Sequence, residues 1–400
     1  MREPDLQFLT SPEGRDHLAR LTAEDVAPDA LLATATALRE AVGAEEAQAL
    51  IETVLLRERA VEKFSRAAAM LFTRDALEQA SGEIIALYRA ARYAGHGFRL
   101  IGDLGCGIGG DSLALAEVAT VVGVERDPLR LRLARHNLAV YGVADRFLPV
   151  VADLQEIAPL ALDALFIDPA RRTATGARSA PSRRLRSLHA YQPPWPVVSR
   201  WLVAVPNAAM KAGPGLDYDE VPPDAGLEFV SVQGEVKEGI LWFGDLRSGA
   251  ARTATLLPDG VSLSTPGPEP EIIARPPQRY LYEPDGAVIR AHLVRTLAAE
   301  LDATLIDPTI AYLTADRLRP TPFARAFELE ATFPFQLKRL RHYLREHHIG
   351  RVVIKKRGSP LDPDDLRRAL RLSGDDERTV FLTQVLGRPF VLIGRPAGKG

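Results

Sequence analysis

Apolar residues recur every three or four positions through residues 29–42 and 44–71, with charged residues between them and no proline in either stretch. That period lays one apolar stripe along a helix, so residues 1–96 read as helical. From Phe98 the pattern changes. Short apolar runs at 99–104, 120–124, 147–152, 164–167 and 201–205 predict five strands, with helical patterns at 111–118 and 129–141 between the first three. Strands alternating with helices predict a parallel sheet covered on both faces. Two later runs, 227–232 and 239–243, have no helix between them and predict an antiparallel edge hairpin.

Residues 258–277 hold Pro266, Pro268, Pro270, Pro276 and Pro277, and read as a linker or surface loop. Beyond them the pattern predicts helices at 286–301, 335–347 and 363–372, a strand at 351–355, and a terminal strand pair at 381–385 and 390–393. No internal repeat is seen.

Composition narrows the class. Of 400 residues, 46% are hydrophobic and 26% charged, as in an ordinary globular protein. No apolar run is long enough to span a bilayer, and the first residues lack the layout of a signal peptide. One cysteine excludes an internal disulfide and a cysteine-rich zinc site. His342, His347 and His348 have no nearby Cys or paired carboxylates, so no metal is expected. These features predict a cytoplasmic protein without a membrane partner. The net charge of −2 does not point to nucleic acid, but the charge is uneven. Residues 1–60 carry 12 acidic and 6 basic side chains, whereas 337–357 carry eight basic side chains and one acid, Glu346.

The strongest chemical signal is Asp103-Leu104-Gly105-Cys106-Gly107-Ile108-Gly109-Gly110, a strand end running through glycines into a helix. Glycines let a backbone approach a ligand closely. Gly105, Gly107 and Gly110 also satisfy G-x-G-x-x-G, which fits a dinucleotide equally well. Acids at successive strand ends decide between the two. Asp103 would repel a pyrophosphate but suits the ammonium and sulfonium of S-adenosylmethionine. Glu125, 20 residues after Gly105, is placed to accept ribose hydroxyls, and Asp153 the adenine amine. Asp103, Gly105, Gly107, Gly109, Glu125 and Asp153 are therefore the expected S-adenosylmethionine site. Cys106 reads as a small loop residue, which disfavours methylation at a pyrimidine carbon, since that chemistry needs a thiolate.

The fourth strand closes on Ile167-Asp168-Pro169-Ala170-Arg171-Arg172. This resembles class I methyltransferases that act on nucleic-acid amines, whose fourth motif reads Asp/Asn/Ser-Pro-Pro-aromatic. The resemblance implies that Asp168, with Pro169 and the backbone after it, accepts hydrogens from the target amine and so orients its lone pair. Ala170 replaces the second proline, and Arg171 stands in place of the aromatic; its guanidinium can stack on a base or hold a phosphate. Asp168, Pro169 and Arg171 are the expected catalytic residues. Six arginines fall within residues 171–186 with no acid among them, suiting a polyanionic substrate. Tyr191, Trp195 and Trp201 offer candidate stacking surfaces, of which Trp201 reads as core.

Residues 64–170 look like the trimethylguanosine synthase group, on Gly109-Gly110-Asp111, His136-Asn137-Leu138-Ala139-Val140-Tyr141-Gly142-Val143 and the upstream Phe72-Thr73-Arg74-Asp75-Ala76-Leu77-Glu78-Gln79-Ala80-Ser81. The whole chain is similar to bacterial class I methyltransferases with a C-terminal THUMP-like domain. Leu77-Glu78-Gln79-Ala80-Ser81, Asp168-Pro169-Ala170-Arg171-Arg172, Lys211-Ala212-Gly213-Pro214-Gly215-Leu216-Asp217 and Val353-Ile354-Lys355-Lys356-Arg357-Gly358 carry that likeness. It implies an α/β fold: a Rossmann-like class I methyltransferase sheet with an N-terminal helical domain and a C-terminal α+β region. The implied domains are 1–96 helical, 97–257 methyltransferase, 258–277 linker, 278–325 ferredoxin-like and 326–400 THUMP-like. RNA is the implied partner, with Arg172, Lys338, Arg341, Lys355, Lys356 and Arg357 as candidate substrate-binding cations. The expected activity is methyl transfer to a base nitrogen of tRNA or rRNA. The alternatives are a protein or small-molecule methyltransferase, a non-catalytic RNA-binding protein of the same fold and, more distantly, a nicotinamide dehydrogenase. Target nucleotide and oligomeric state are not readable.

Overall fold

The apolar stripe of the N-terminal region folds into helices Glu3–Thr10, Pro12–Arg20, Leu31–Val42 and Ala44–Ala60. Gly43 breaks the last two apart at φ 99°, a conformation side chains rarely adopt. The computed structural model describes residues 1–170 and 187–398. The helix expected to run to residue 71 stops at Ala60. Phe64, Ala67, Met70, Leu71 and Phe72 are buried nonetheless, on an irregular segment. Periodicity reports burial there, not helix. Asn137, 0% exposed, holds that segment in place of helical bonds: its Oδ1 accepts from the Leu71 N–H at 2.9 Å, and its Nδ2 donates to the Leu71 and Ile108 carbonyls at 3.1 Å each. Helices Arg74–Gln79 and Glu83–Ala94 follow.

Strands β1 (Leu100–Leu104), β2 (Thr120–Glu125), β3 (Phe147–Val151), β4 (Ala164–Ile167) and β5 (Ala208–Ala212) pair in parallel in the order β3-β2-β1-β4-β5. In register, Asp103 of β1 lies between Gly123 of β2 and Phe166 of β4. Helices Ser112–Val118 and Pro128–Tyr141 connect the early strands. The fifth strand expected at 201–205 is a correction. Those residues end the helix Trp195–Ala204, and β5 comes after it. Val198, Trp201 and Val205 are buried at helical spacing, while Ala208-Ala209-Met210-Lys211-Ala212 is a wholly buried strand despite its helix-favouring residues. Trp201 is core, and Tyr191 is buried as well, its hydroxyl accepting from the Gly213 N–H at 3.0 Å, so neither is an open stacking surface.

β6 (Gly226–Val232) and β7 (Glu235–Phe243) are joined by a two-residue turn at Gln233 and Gly234, both at positive φ as in type I′ turns, but they are not the expected edge, because β6 is also paired on its other side. The chain forms two compact units. Residues 1–225 with 240–247 make the first, and 226–239 with the residues from 248 onward make the second. The last four residues of β7 thus belong with β1–β5, next to β5.

In the second unit β6 pairs in parallel with β8 (Arg252–Leu257), which pairs antiparallel with β9 (Val261–Thr265). β9 lies inside the stretch read as a linker, and Ala274 bridges Leu305, so that stretch is partly sheet. Strands β10 (Tyr280–Pro284), β11 (Thr304–Asp307), β12 (Ile310–Ala315), β13 (Ala324–Pro334), β14 (Ile349–Lys356), β15 (Asp376–Val385) and β16 (Arg388–Pro396) form a seven-stranded sheet in the order β11-β12-β10-β13-β16-β15-β14. The helix expected at 286–301 is two, Gly286–Arg290 and Val294–Leu301, separated by His292 at φ 52°. Helices Leu337–Glu346 and Pro363–Leu370 bury Leu340, Leu344, Leu366 and Leu370 against Val352, Val380 and Ile393 of the sheet. Among the described residues no helix is long and apolar enough to cross a membrane.

Candidate active site

β1 delivers Asp103 and then the glycine turn, from which the helix Ser112–Val118 starts. Gly105 lies at φ 88°, and a Cβ there would stand 3.0 Å from the Asp168 carbonyl oxygen. Conformation and close approach both require glycine at this position. Gly107, at φ 56°, is different: a Cβ would meet nothing within 4 Å, which leaves an open cradle. Gly109 packs on Ala134 and Leu138.

Asp103 is 1% exposed. Its Oδ2 accepts from the Ser112 hydroxyl at 2.5 Å, while Oδ1 is buried with no hydrogen-bond partner among the described residues. Burial first, then the neighbouring Asp111 carboxylate, push the Asp103 carboxyl up to about 8. Glu125, at the end of β2, accepts from the backbone N–H groups of Gly107 at 3.1 Å and Asp127 at 3.0 Å, which fixes it against the turn. Asp153, half-buried after β3, accepts from the Gln155 N–H at 2.9 Å. Cys106 is buried, and that burial raises its thiol well above the ordinary range.

At the end of β4, the Asp168 N–H donates to the Leu104 carbonyl at 3.2 Å, which ties the two strand ends together. Pro169 is buried, and Ala170 exchanges backbone bonds of 2.8 and 3.0 Å with Gln192. The Asp168 Oδ2 accepts from Lys211 Nζ at 2.9 Å. Lys211 also donates to the Ser81 hydroxyl at 3.0 Å, and Ser81 donates to Asp111 Oδ2 at 3.0 Å. Arg89 forms a buried ion pair with Asp111 and lies 4.6 Å over the Phe166 ring. Among the described residues Arg89 pairs with Asp111 and Lys211 with Asp168, whereas Asp103 has no ion-pair partner.

Lys211, Ser81, Arg89 and Asp111 were not anticipated as site residues. One signal was present: Lys211 is the single charge in an otherwise apolar five-residue strand. Arg171 and Arg172, with the other arginines of residues 171–186, lie outside the described residues. The C-terminal cations are in the second unit. Lys338 and Lys356 are exposed, Lys356 donating to the Leu361 carbonyl at 3.2 Å. Arg341 donates to the Ala369 carbonyl at 2.6 Å, Lys355 pairs with Glu283, and Arg357 donates to the Ala311 carbonyl at 2.6 Å and lies over Tyr312.

A buried carboxyl with an oxygen unbonded among the described residues, beside an open glycine cradle, fits a cationic ligand that would draw off its proton. Carried on this parallel sheet, the arrangement defines a Rossmann-like methyltransferase of class I. Residues 98–195 match the RNA cap guanine-N2 methyltransferase family, residues 324–396 the THUMP domain-like family, and residues 4–60 a domain of unknown function. A protein of Mycobacterium tuberculosis described as an S-adenosylmethionine-dependent methyltransferase is 37% identical over 354 residues, 84% of this chain and 92% of its own length. This chain belongs to that family of S-adenosylmethionine-dependent methyltransferases, and it is an enzyme whose methyl donor is S-adenosylmethionine. The 23S rRNA (uracil(1939)-C(5))-methyltransferase RlmD of Acidithiobacillus ferrooxidans is 40% identical over 79 residues, 18% of each chain. The crystal structure of a putative methyltransferase from Porphyromonas gingivalis W83 shares the fold, with a TM-score of 0.75, 22% identity and coverage of 96% of this chain and 99% of that one.

Proposed function

We propose that this enzyme methylates a base nitrogen of RNA, tRNA or rRNA, in the cytoplasm, by direct in-line attack of an exocyclic amine. The observation that carries the reading is Asp168. Its carboxylate sits at the β4 end beside Gly105, with Oδ2 tied to Lys211. Oδ1, which has no partner among the described residues, would accept a hydrogen from the amine and so turn its lone pair toward the methyl group. When bound, S-adenosylmethionine supplies a methyl group already activated by its sulfonium. The protein's part is then to bind and to aim. Asp103 Oδ1 would take the ammonium, Glu125 the ribose hydroxyls and Asp153 the adenine amine, with Gly105, Gly107 and Gly109 giving the backbone approach.

The family matches at residues 98–195 and 324–396 support RNA as the substrate. In this reading Arg171 and Arg172 meet the target nucleotide, and Lys338, Arg341, Lys355, Lys356 and Arg357 meet RNA phosphates. Methylation at a uracil carbon, as in the name of the RlmD relative, is disfavoured, because Cys106 is the chain's sole thiol and is buried with a raised pKa. The test is transfer of radiolabelled methyl to RNA, protein and small-molecule fractions from cells lacking the enzyme, followed by mass spectrometry of the nucleosides. The expected result is label in RNA on an N-methylated base. Label confined to protein or metabolites would overturn the proposal.

A further inference from the structure

We propose that Lys211 sets the acceptor chemistry of this site: it fixes the Asp168 carboxylate and restricts the acceptor to an uncharged nitrogen. The inference rests on the reading of Asp168 as the group that meets the target amine.

Lys211 is 5% exposed on a strand whose five residues are all buried. An ammonium tolerates such a place only when paired and hydrogen-bonded. The pairing is directional. Lys211 Nζ donates to Asp168 Oδ2 at 2.9 Å and to Ser81 Oγ at 3.0 Å. A serine hydroxyl has one proton, and that of Ser81 goes to Asp111, which Arg89 also holds. Each of these named bonds, from Arg89 to the β4 end, therefore has one possible polarity. None can reverse without leaving a buried donor or acceptor unmet.

Two consequences follow for the reaction. The Asp168 carboxylate is held by one oxygen, so the other is presented in a fixed place. The carboxylate is also already compensated by a cation at 2.9 Å. An alkylammonium or guanidinium brought to Asp168 would sit within a few ångströms of the Lys211 ammonium and be repelled in a poorly solvated site. An amine conjugated to a heteroaromatic ring carries no such charge and can still donate to Asp168. The pair therefore favours nucleobase amines and rejects protein lysine and arginine side chains.

The test uses the full-length enzyme and labelled S-adenosylmethionine, with RNA and protein fractions from cells lacking the enzyme as acceptors. S-adenosylhomocysteine affinity, measured by calorimetry, checks the fold of each variant. We expect the wild type to label RNA and not protein. Lys211→Met should lose about 100-fold in kcat, with KM for RNA and S-adenosylhomocysteine affinity within about twofold. Lys211→Arg should recover part of that loss, and Ser81→Ala should lose about tenfold. In an Asp168→Asn background, Lys211→Met should change the rate further by less than about threefold, because the two act as one unit. Full kcat in Lys211→Met, with RNA labelled by the wild type, would overturn this inference and leave the RNA reading standing. Loss of S-adenosylhomocysteine binding in a folded Lys211→Met would also overturn it, by placing Lys211 in the cofactor site. Label in protein, or in neither fraction, with the wild type would overturn both. Should Lys211→Met fail to fold, unchanged kcat in both Lys211→Arg and Ser81→Ala overturns the inference.

Discussion

The turn after β1 and the end of β14 both concentrate charge, and they treat it in opposite ways. In the first unit Asp103 is buried, shares its surroundings with Asp111 and keeps one oxygen unbonded. In the second unit the cations are met one at a time, Lys355 by Glu283, Lys356 by the Leu361 carbonyl and Arg357 by the Ala311 carbonyl. A buried carboxyl that no neighbouring cation meets ionises only at a cost and marks a place prepared for a cationic ligand. Charge satisfied where it stands serves stability as well as any binding it does. Counting residues along the chain gives the two clusters similar weight, whereas burial and pairing separate them.

The comparison can be broken most sharply at the catalytic strand end. Asp168→Ala should lower kcat by about 100- to 1,000-fold with the affinity for S-adenosylmethionine kept, as when a single positioned polar group is removed from an active site. Steady-state kinetics and calorimetry on one preparation read both quantities. A parallel loss of donor affinity would merge Asp168 with the cofactor turn.

A smaller effect comes from pH. The Asp103 carboxyl is raised from 3.8 to about 8 in the folded protein, so the folded state holds a proton that the unfolded state releases near pH 4. Stability from this group is present below about pH 4 and declines as pH rises toward 8. A cation binds the ionised form, so donor binding should release a proton below about pH 8. Affinity should climb by up to about tenfold per pH unit between 6 and 8 and then level off. In Asp103→Asn the climb should vanish. A flat profile in the wild type would remove Asp103 from the ligand site.

The second unit should respond least. Lys355→Met strands the Glu283 carboxylate, and thermal unfolding should show a loss of about 1 kcal/mol, since the pair is partly exposed. Lys338→Glu should leave stability unchanged and reduce the salt dependence of RNA binding by about one unit of slope. An unchanged slope in Lys338→Glu would remove Lys338 from the cations proposed to meet RNA.

Much of the first unit was readable because its strands end where acids and glycines fall: Asp103 and Gly105, then Glu125, then Asp168. β5 was not, because Ala208-Ala209-Met210-Lys211-Ala212 has helix-favouring residues and takes strand form only by full burial. Its neighbour Trp201-Leu202-Val203-Ala204-Val205 reads as strand but closes the helix Trp195–Ala204, which Pro196 opens and whose buried residues Val198, Trp201 and Val205 fall at helical spacing. The ion-pair chain through Lys211, Ser81, Asp111 and Arg89 spans residues 81 to 211. No local pattern announces such a pairing; it exists only once β1, β4 and β5 lie side by side. In the second unit β10 to β13 escaped notice because their burial does not alternate cleanly from residue to residue.

We propose above all that the β1 turn is built for a positively charged adenosyl donor. Calorimetric titration of wild type and Asp103→Asn with S-adenosylmethionine and with 5′-methylthioadenosine, which lacks the amino-acid group, tests it directly. We expect Asp103→Asn to weaken S-adenosylmethionine by about 30-fold or more, as when one partner of a buried charge pair is lost, and to leave methylthioadenosine within about twofold. Equal losses for both ligands, or no loss for either, would contradict it.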